Sequence, residues 1–363
     1  MKKNRSSLSS ERVFFSKNVT LAAKGIGAIL MLNHHLFSCF PEYVDQYQVS
    51  SRLFSMDTVM RFSIFSKICV AIFVVLSAYG MTLSFDRSRG SGTQYVKRRL
   101  FRLEAGFWPV FFLATATFFL REDHLGVYLA SGKGNGLLYY VIDGLGLASF
   151  LGTPTYNETW WYMSLAILMV FLVPVLVKLY DAAGICVLGL LVMAPYLGVA
   201  MTPSVMYLCS IAIGIWLARG NLLDRVQAIT ATGVGKGVFL VGMLAVLLAL
   251  YRYRDPLAAA WLSDGAAALV IILILFVLVD EMKLPLPVLR WIGKHSMNVF
   301  LIHTLLLEYY FRDVVYRGKN WFLILLVLLV MSLTASVLVE MLKQAGAVLV
   351  NRIKRKPVQK EEK

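Results

Sequence analysis

Charge is scarce in this chain. Asp, Glu, Lys and Arg make up 16% of its 363 residues, hydrophobic residues make up 58%, and the mean hydropathy is +0.69. A soluble domain of this length covers itself with far more charge than that, so a water-soluble enzyme or binding module is excluded. Cysteine is scarce too. Cys39, Cys69, Cys186 and Cys209 form no CxxC pair, and without such spacing neither a metal site nor a redox motif is indicated. Cys39 and Cys69 fall towards the same side of the apolar stretches and are the one pair that a disulfide would join. No internal repeat of the kind that builds many secondary transporters is visible.

Long hydrophobic runs are present instead. About 18 apolar residues suffice to cross a bilayer core, and ten such runs are expected: 19–39, 63–85, 103–120, 161–180, 184–200, 204–218, 234–250, 258–279, 296–311 and 321–342. The expected fold is all-α, a polytopic transmembrane helical bundle of about ten spans. Residues 1–18 precede it, 19–342 form one membrane domain, and 343–363 form a basic tail. Lys and Arg accumulate on the cytoplasmic side of membrane proteins. With the amino terminus inside, twenty-five of them fall on inner segments and ten on outer ones, with Lys24 left in its helix. Both termini are therefore expected in the cytoplasm, and the protein in a cell (plasma or inner) membrane. The net charge of +15 is a topology signal and not a nucleic-acid footprint. The tail NRIKRKPVQKEEK suits anionic headgroups.

The first run, KGIGAILMLNHHLFSC, carries Lys24 at its cytoplasmic end and His34 and His35 further in. Ionisable groups inside a span are costly and usually face a protein interior or a wet cavity. From Lys24 to His35 is eleven residues, about 1100° of turn or close to three full turns, with a rise of about 16 Å. Lys24 and His35 thus share a face, and His34, about 100° away, is expected to point elsewhere. A cation at one end of a channel and an imidazole half a bilayer deeper fit an anionic molecule that reaches from the headgroups to a reactive centre. The alternative is that Lys24 snorkels and the histidines bond neighbouring helices.

A second basic feature opens the third run. In DRSRGSGTQYVKRRLFR, Arg99 and Arg102 stand at i and i+3 on one helix face, a pair of forks suited to phosphate or a simple positive-inside anchor. The longest outer segment, 121–160, contains LLYYVIDGLGLASFLG, apolar enough to lie in the interface or re-enter the membrane. His295 at the inner mouth and His124 in an outer loop are expected at the surface.

Five stretches in order resemble the acyltransferase 3 family of integral membrane enzymes, along nearly the whole chain. Lys24 and His35 match its basic residue, ten residues, then histidine, although arginine is commoner at the first position. VAIFVVLSAYG is similar to its run into Ser-Gly-Tyr, with Ala78 in place of the glycine. RLFR matches Arg-x-x-Arg, and TWWYMSLAI matches an aromatic opening of the fourth span, without the glutamate many members carry shortly after. GKHSMNVFLIH resembles the family's Gly-Lys-x-Ser run into a span ending Leu-Ile-His.

The resemblance implies ten spans and transfer of an acetyl or related acyl group from acyl-CoA to a hydroxyl of a sugar or lipid-linked polysaccharide outside the cytoplasm. Arg99 and Arg102 would hold the coenzyme A phosphates. His35 would be general base or acyl relay. Lys24, His303, Ser296 and Trp161 would bind substrate. No metal and no tightly bound cofactor is implied; the donor substrate is acyl-CoA, acetyl-CoA by preference, and the acceptor is acylated either directly or through a separate periplasmic or extracellular acyl-handling partner. The rival reading is a transporter or flippase for a glycan or lipid-linked intermediate, with the histidines as a proton relay. It would call for carboxylates within the membrane, and none is expected there. A membrane scaffold would leave the Lys24 to His35 face unexplained.

Overall fold

The structure, a computed structural model, describes residues 12–88, 91–117, 126–129, 135–197, 202–254 and 260–355. Among them every regular element is helical, and one isolated parallel bridge joins Ser50 to Asn320. The principal helices are α1 (Lys17–His34), α2 (Met56–Phe65), α3 (Ile68–Arg87), α4 (Gly92–Ala116), α5 (Trp161–Ala183), α6 (Cys186–Met193), α7 (Leu208–Arg219), α8 (Gly233–Tyr253), α9 (Ala260–Phe276), α10 (Pro287–Thr304) and α11 (Trp321–Arg355). Five helical segments, Met56–Arg87, Glu158–Ala183, Gly233–Tyr253, Trp261–Glu281 and Trp321–Val348, are long and apolar enough to cross a membrane by length and composition. The protein is an all-α, multi-pass membrane protein.

Local chemistry explains the ends of these helices. The Ser16 hydroxyl accepts from the backbone N–H of Asn18 and Val19, at 3.2 and 3.3 Å, and so caps α1. Pro287 opens α10, where its missing N–H costs nothing. α1 and α10 each end in a π-helical turn, His35–Cys39 and Leu305–Tyr310, the kind of irregularity often found at functional sites. The run expected over 63–85 is two helices, broken at Ser66 and Lys67.

α1 sits at the centre and packs most extensively on α10, then on α3. Small residues permit this approach: a Cβ on Gly293 would overlap the Leu21 carbonyl of α1, and one on Gly25 would overlap the Leu289 carbonyl of α10. Farther along, the buried Asn33 amide donates to the hydroxyls of Ser63 and Ser66 at 3.1 and 3.0 Å, and its oxygen accepts the Trp321 indole N–H at 2.9 Å. α1 is thereby pinned to the α2–α3 break on one side and to α11 on the other. No side chain of α8 is buried, as suits a helix apolar on every face at the rim of a membrane bundle.

Two expectations are corrected. His295 is not a surface residue: it is 7% exposed, and its Nδ1 lies 2.8 Å from the Ser336 hydroxyl, between α10 and α11. It turns inward because Asn298, one turn on, joins the same polar cluster with Ser336 and Glu340. Carboxylates inside the apolar runs are also present. Asp264 in α9 is buried against Arg254, Nε to Oδ1 at 3.0 Å and Nη2 to Oδ2 at 3.1 Å; the bidentate pair offsets the desolvation that an isolated charge there would suffer. His124 lies outside the described residues.

Candidate active site

A cavity of about 720 Å³ opens between α1, α3, α4, α5 and α10. Lys24, Arg99, Arg102, His34, His35, Ser296 and Trp161 all line it, so all the candidate side chains except His303 border one space. His303 lies just behind the wall, fully buried, with its ring 4.7 Å from that of His35, edge to face.

The basic end is short of counter-ions. Arg99 donates to the Gly80 carbonyl at 2.5 Å, which ties it to the SAYG stretch of α3, and its Nε is buried without a partner. Lys24 lies within electrostatic reach of Arg99. Among the described residues neither forms an ion pair, nor does Arg102, and no carboxylate lines the cavity. Like charges held together in a partly desolvated space favour a bound anion, and guanidinium forks favour phosphate or carboxylate.

The imidazole end has a defined tautomer. His35 Nδ1 is 2.9 Å from the Met31 carbonyl, and a carbonyl only accepts, so Nδ1 carries the proton and Nε2 keeps its lone pair. His303 follows the same rule, with Nδ1 at 3.0 and 2.9 Å from the carbonyls of Val299 and Phe300, and its Nε2 is buried without a partner. His34 bonds the Ser63 carbonyl at 2.9 Å. Contrary to expectation, His34 also borders the cavity: the chamber is wide at this level, and its wall includes the α2–α3 break that His34 grips. Cys39 and Cys69 line the same end as free thiols.

A family model described as an acyltransferase domain matches residues 22–341. The chain belongs to the acyltransferase 3 family. It is a membrane acyltransferase, and the matched region contains every cavity residue named above. No curated protein and no solved structure matches the chain.

For an acyltransferase, the segment next to the imidazoles, between α4 and α5, matters as well. The Asn157 amide donates to Thr304 Oγ1 at 2.8 Å, and the Trp160 indole donates to the Leu301 carbonyl at 3.1 Å. These bonds clamp the segment onto α10 beside His303. Asp143 holds the segment together, accepting from Tyr128 Oη (2.6 Å), Thr155 Oγ1 (2.8 Å) and the Tyr156 N–H (2.7 Å). A smaller pocket of about 200 Å³ lies under it and shares Trp161 with the main cavity. Residues that were not named as candidates also border the cavity, Tyr162, Tyr207 and Lys67 among them. Lys67 had a signal in the sequence: like Lys24, it is a lysine inside an apolar run.

Proposed function

We propose that this acyltransferase moves an acetyl or similar acyl group from acyl-CoA to a hydroxyl of a sugar or lipid-linked glycan, through a ten-span bundle whose termini both lie in the cytoplasm. The observation that carries the reading is the polarity of one cavity, with three cations free of counter-ions at one end and an imidazole with an open Nε2 at the other. Coenzyme A is a long, thin molecule with its phosphates at one end and its thioester at the other. Lys24, Arg99 and Arg102 would take the phosphates, and the rise of about 16 Å from Lys24 to His35 would be filled by the pantetheine arm, past Ser296 and Trp161.

In the reaction, the acceptor O–H gives its proton to His35 Nε2 while its oxygen attacks the thioester carbonyl carbon. The C–S bond then breaks, and the departing thiolate recovers the proton from the imidazolium. The tautomer favours this general-base route, because the Met31 carbonyl holds Nδ1–H in place and stabilises the imidazolium that forms. His303, packed edge-on against His35, acts as a positioning residue. Purified full-length protein in detergent, given labelled acetyl-CoA and a panel of glycosides, tests the proposal: label should move to a glycoside in the wild type and not in His35→Ala. A glycan transporter would leave the label on coenzyme A.

A further inference from the structure

Lys67 is the one cation of the cavity that the donor does not use. It sits at the break between α2 and α3, and its charge acts on His34 and on the Cys39 thiol, so it belongs to the end of the cavity beyond His35. The break is held firmly. Ser66 donates to the Phe62 carbonyl at 2.7 Å and accepts from the Asn33 amide, and the Ser63 carbonyl receives His34 Nδ1. Lys67 is thus presented by a fixed turn against the α1 wall.

Its charge is not neutralised within the protein. Asp264 is within electrostatic reach, but that carboxylate is engaged by Arg254 in a pair whose side chains are 7% and 5% exposed. Lys67 forms no ion pair among the described residues. Two cations and one carboxylate leave this end of the chamber with an excess of one positive charge. A half-buried ammonium without a counter-ion is costly, and a ligand that supplies the anion offsets the cost.

We propose that Lys67 forms a second anion subsite, which takes a carboxylate or phosphate carried by the acceptor, so that the acyl-receiving molecule is an acidic glycan or a phosphate-bearing one. This rests on reading the cavity as the acyl-transfer site, with the donor phosphates at the Lys24 end. A strongly hydrated point charge on a flexible stem suits a single anionic oxygen cluster of either kind.

The test reads binding without turnover. Full-length protein in detergent is titrated with glucuronate, glucose 1-phosphate and glucose, following tryptophan fluorescence, since Trp161 lines the cavity. At least one anionic sugar should bind the wild type about tenfold or more tightly than glucose, the scale of a charge-assisted bond. Lys67→Met should abolish that preference, Lys67→Arg should keep it, and both should bind acetyl-CoA as the wild type does. The stronger of the two anionic probes tells a carboxylate acceptor from a phosphate one. Equal binding of glucose and both anions by the wild type, or a preference that survives in Lys67→Met, overturns the proposal. So does a Lys67-dependent gain of succinyl-CoA over acetyl-CoA, which puts the anion on the acyl group. Failure of acyl transfer with the binding preference intact sinks the catalytic reading alone.

Discussion

Gly25 and Gly293 meet where α1 crosses α10: a Cβ on Gly293 would lie 3.0 Å from the Gly25 nitrogen. Each glycine stands ten residues before a histidine, Gly25 before His35 and Gly293 before His303. The Cβ of each points back towards its own amino terminus, onto Leu289 and Leu21 respectively, as parallel helices require. Equal rises of about 15 Å from one crossing point bring the two imidazoles to one level, where their rings lie 4.7 Å apart.

Gly293→Val should therefore act on both stability and catalysis. The added branches meet backbone that cannot turn aside, and a destabilisation of about 3 kcal/mol or more is expected. Gly242→Ala, with nothing within 4 Å of its Cβ, should change stability by no more than about 0.5 kcal/mol, or gain slightly. Thermal unfolding of the detergent-solubilised variants measures both.

His35→Ala should lower kcat by about 10² to 10⁴, the usual contribution of a positioned general base, while acetyl-CoA still binds. His34→Ala should retain most activity, because its Nδ1 serves the Ser63 carbonyl and its effect reaches the site through the α2–α3 break. Steady-state kinetics beside an equilibrium binding measurement separate these outcomes; the reverse ranking of the two variants would move the base to His34.

At the other end, Arg99→Ala, Arg102→Ala and Lys24→Met should each raise the KM for acetyl-CoA. Loss of one charge-assisted contact costs about 1.5 to 3 kcal/mol, or roughly 10- to 150-fold. A donor without the 3′-phosphate should bind the wild type less well and be less sensitive to whichever residue holds that group. Unchanged KM in all three variants would return them to a purely topological role.

Asp264→Ala should destabilise the protein by about 3 to 5 kcal/mol, since it strands Arg254 in a buried setting. The double variant Arg254→Met, Asp264→Leu should recover much of the loss. If the double variant is destabilised by the simple sum of Arg254→Met and Asp264→Leu measured singly in the unfolding experiment, the pair is not coupled.

The proposed sidedness rests on the expected depth of His35 in the membrane. His35 is about 24 Å of helix rise from residue 19, past the middle of a core roughly 30 Å thick, and the segment clamped onto α10 beside it is the one assigned to the outer face. In sealed vesicles of known orientation with acyl-CoA on the cytoplasmic side, a membrane-impermeant acceptor should be acylated only from the opposite side. Product from acceptor on the cytoplasmic side alone would reverse the assignment.

Much of this was legible because helical periodicity is a local property. The spacing of Lys24 and His35 needs only a continuous helix, and α1 provides one up to His34 before the π turn begins. Arg99 and Arg102 needed only the start of α4. His295 was misjudged because its place near a run of basic residues says nothing of Ser336, forty-one residues away. Asp264 was passed over for a related reason: a carboxylate in an apolar run is tolerable only with a partner, and Arg254 reaches it from before α9.

The sequence by itself determined that the chain is helical and belongs in a membrane, because hydropathy and the demand for internal backbone hydrogen bonding leave helices as the structure for such runs. It also determined which side chains on α1 could share a face. Only the tertiary structure decided which helix would stand beside that face, since the choice depends on close approach at Gly25 and Gly293, residues without side chains to advertise a preference. It likewise decided that Lys67 would enter the same chamber, because the break that presents it is tied to α1 by Asn33 and His34 across the helix interface, contacts that its neighbours in the chain do not reveal.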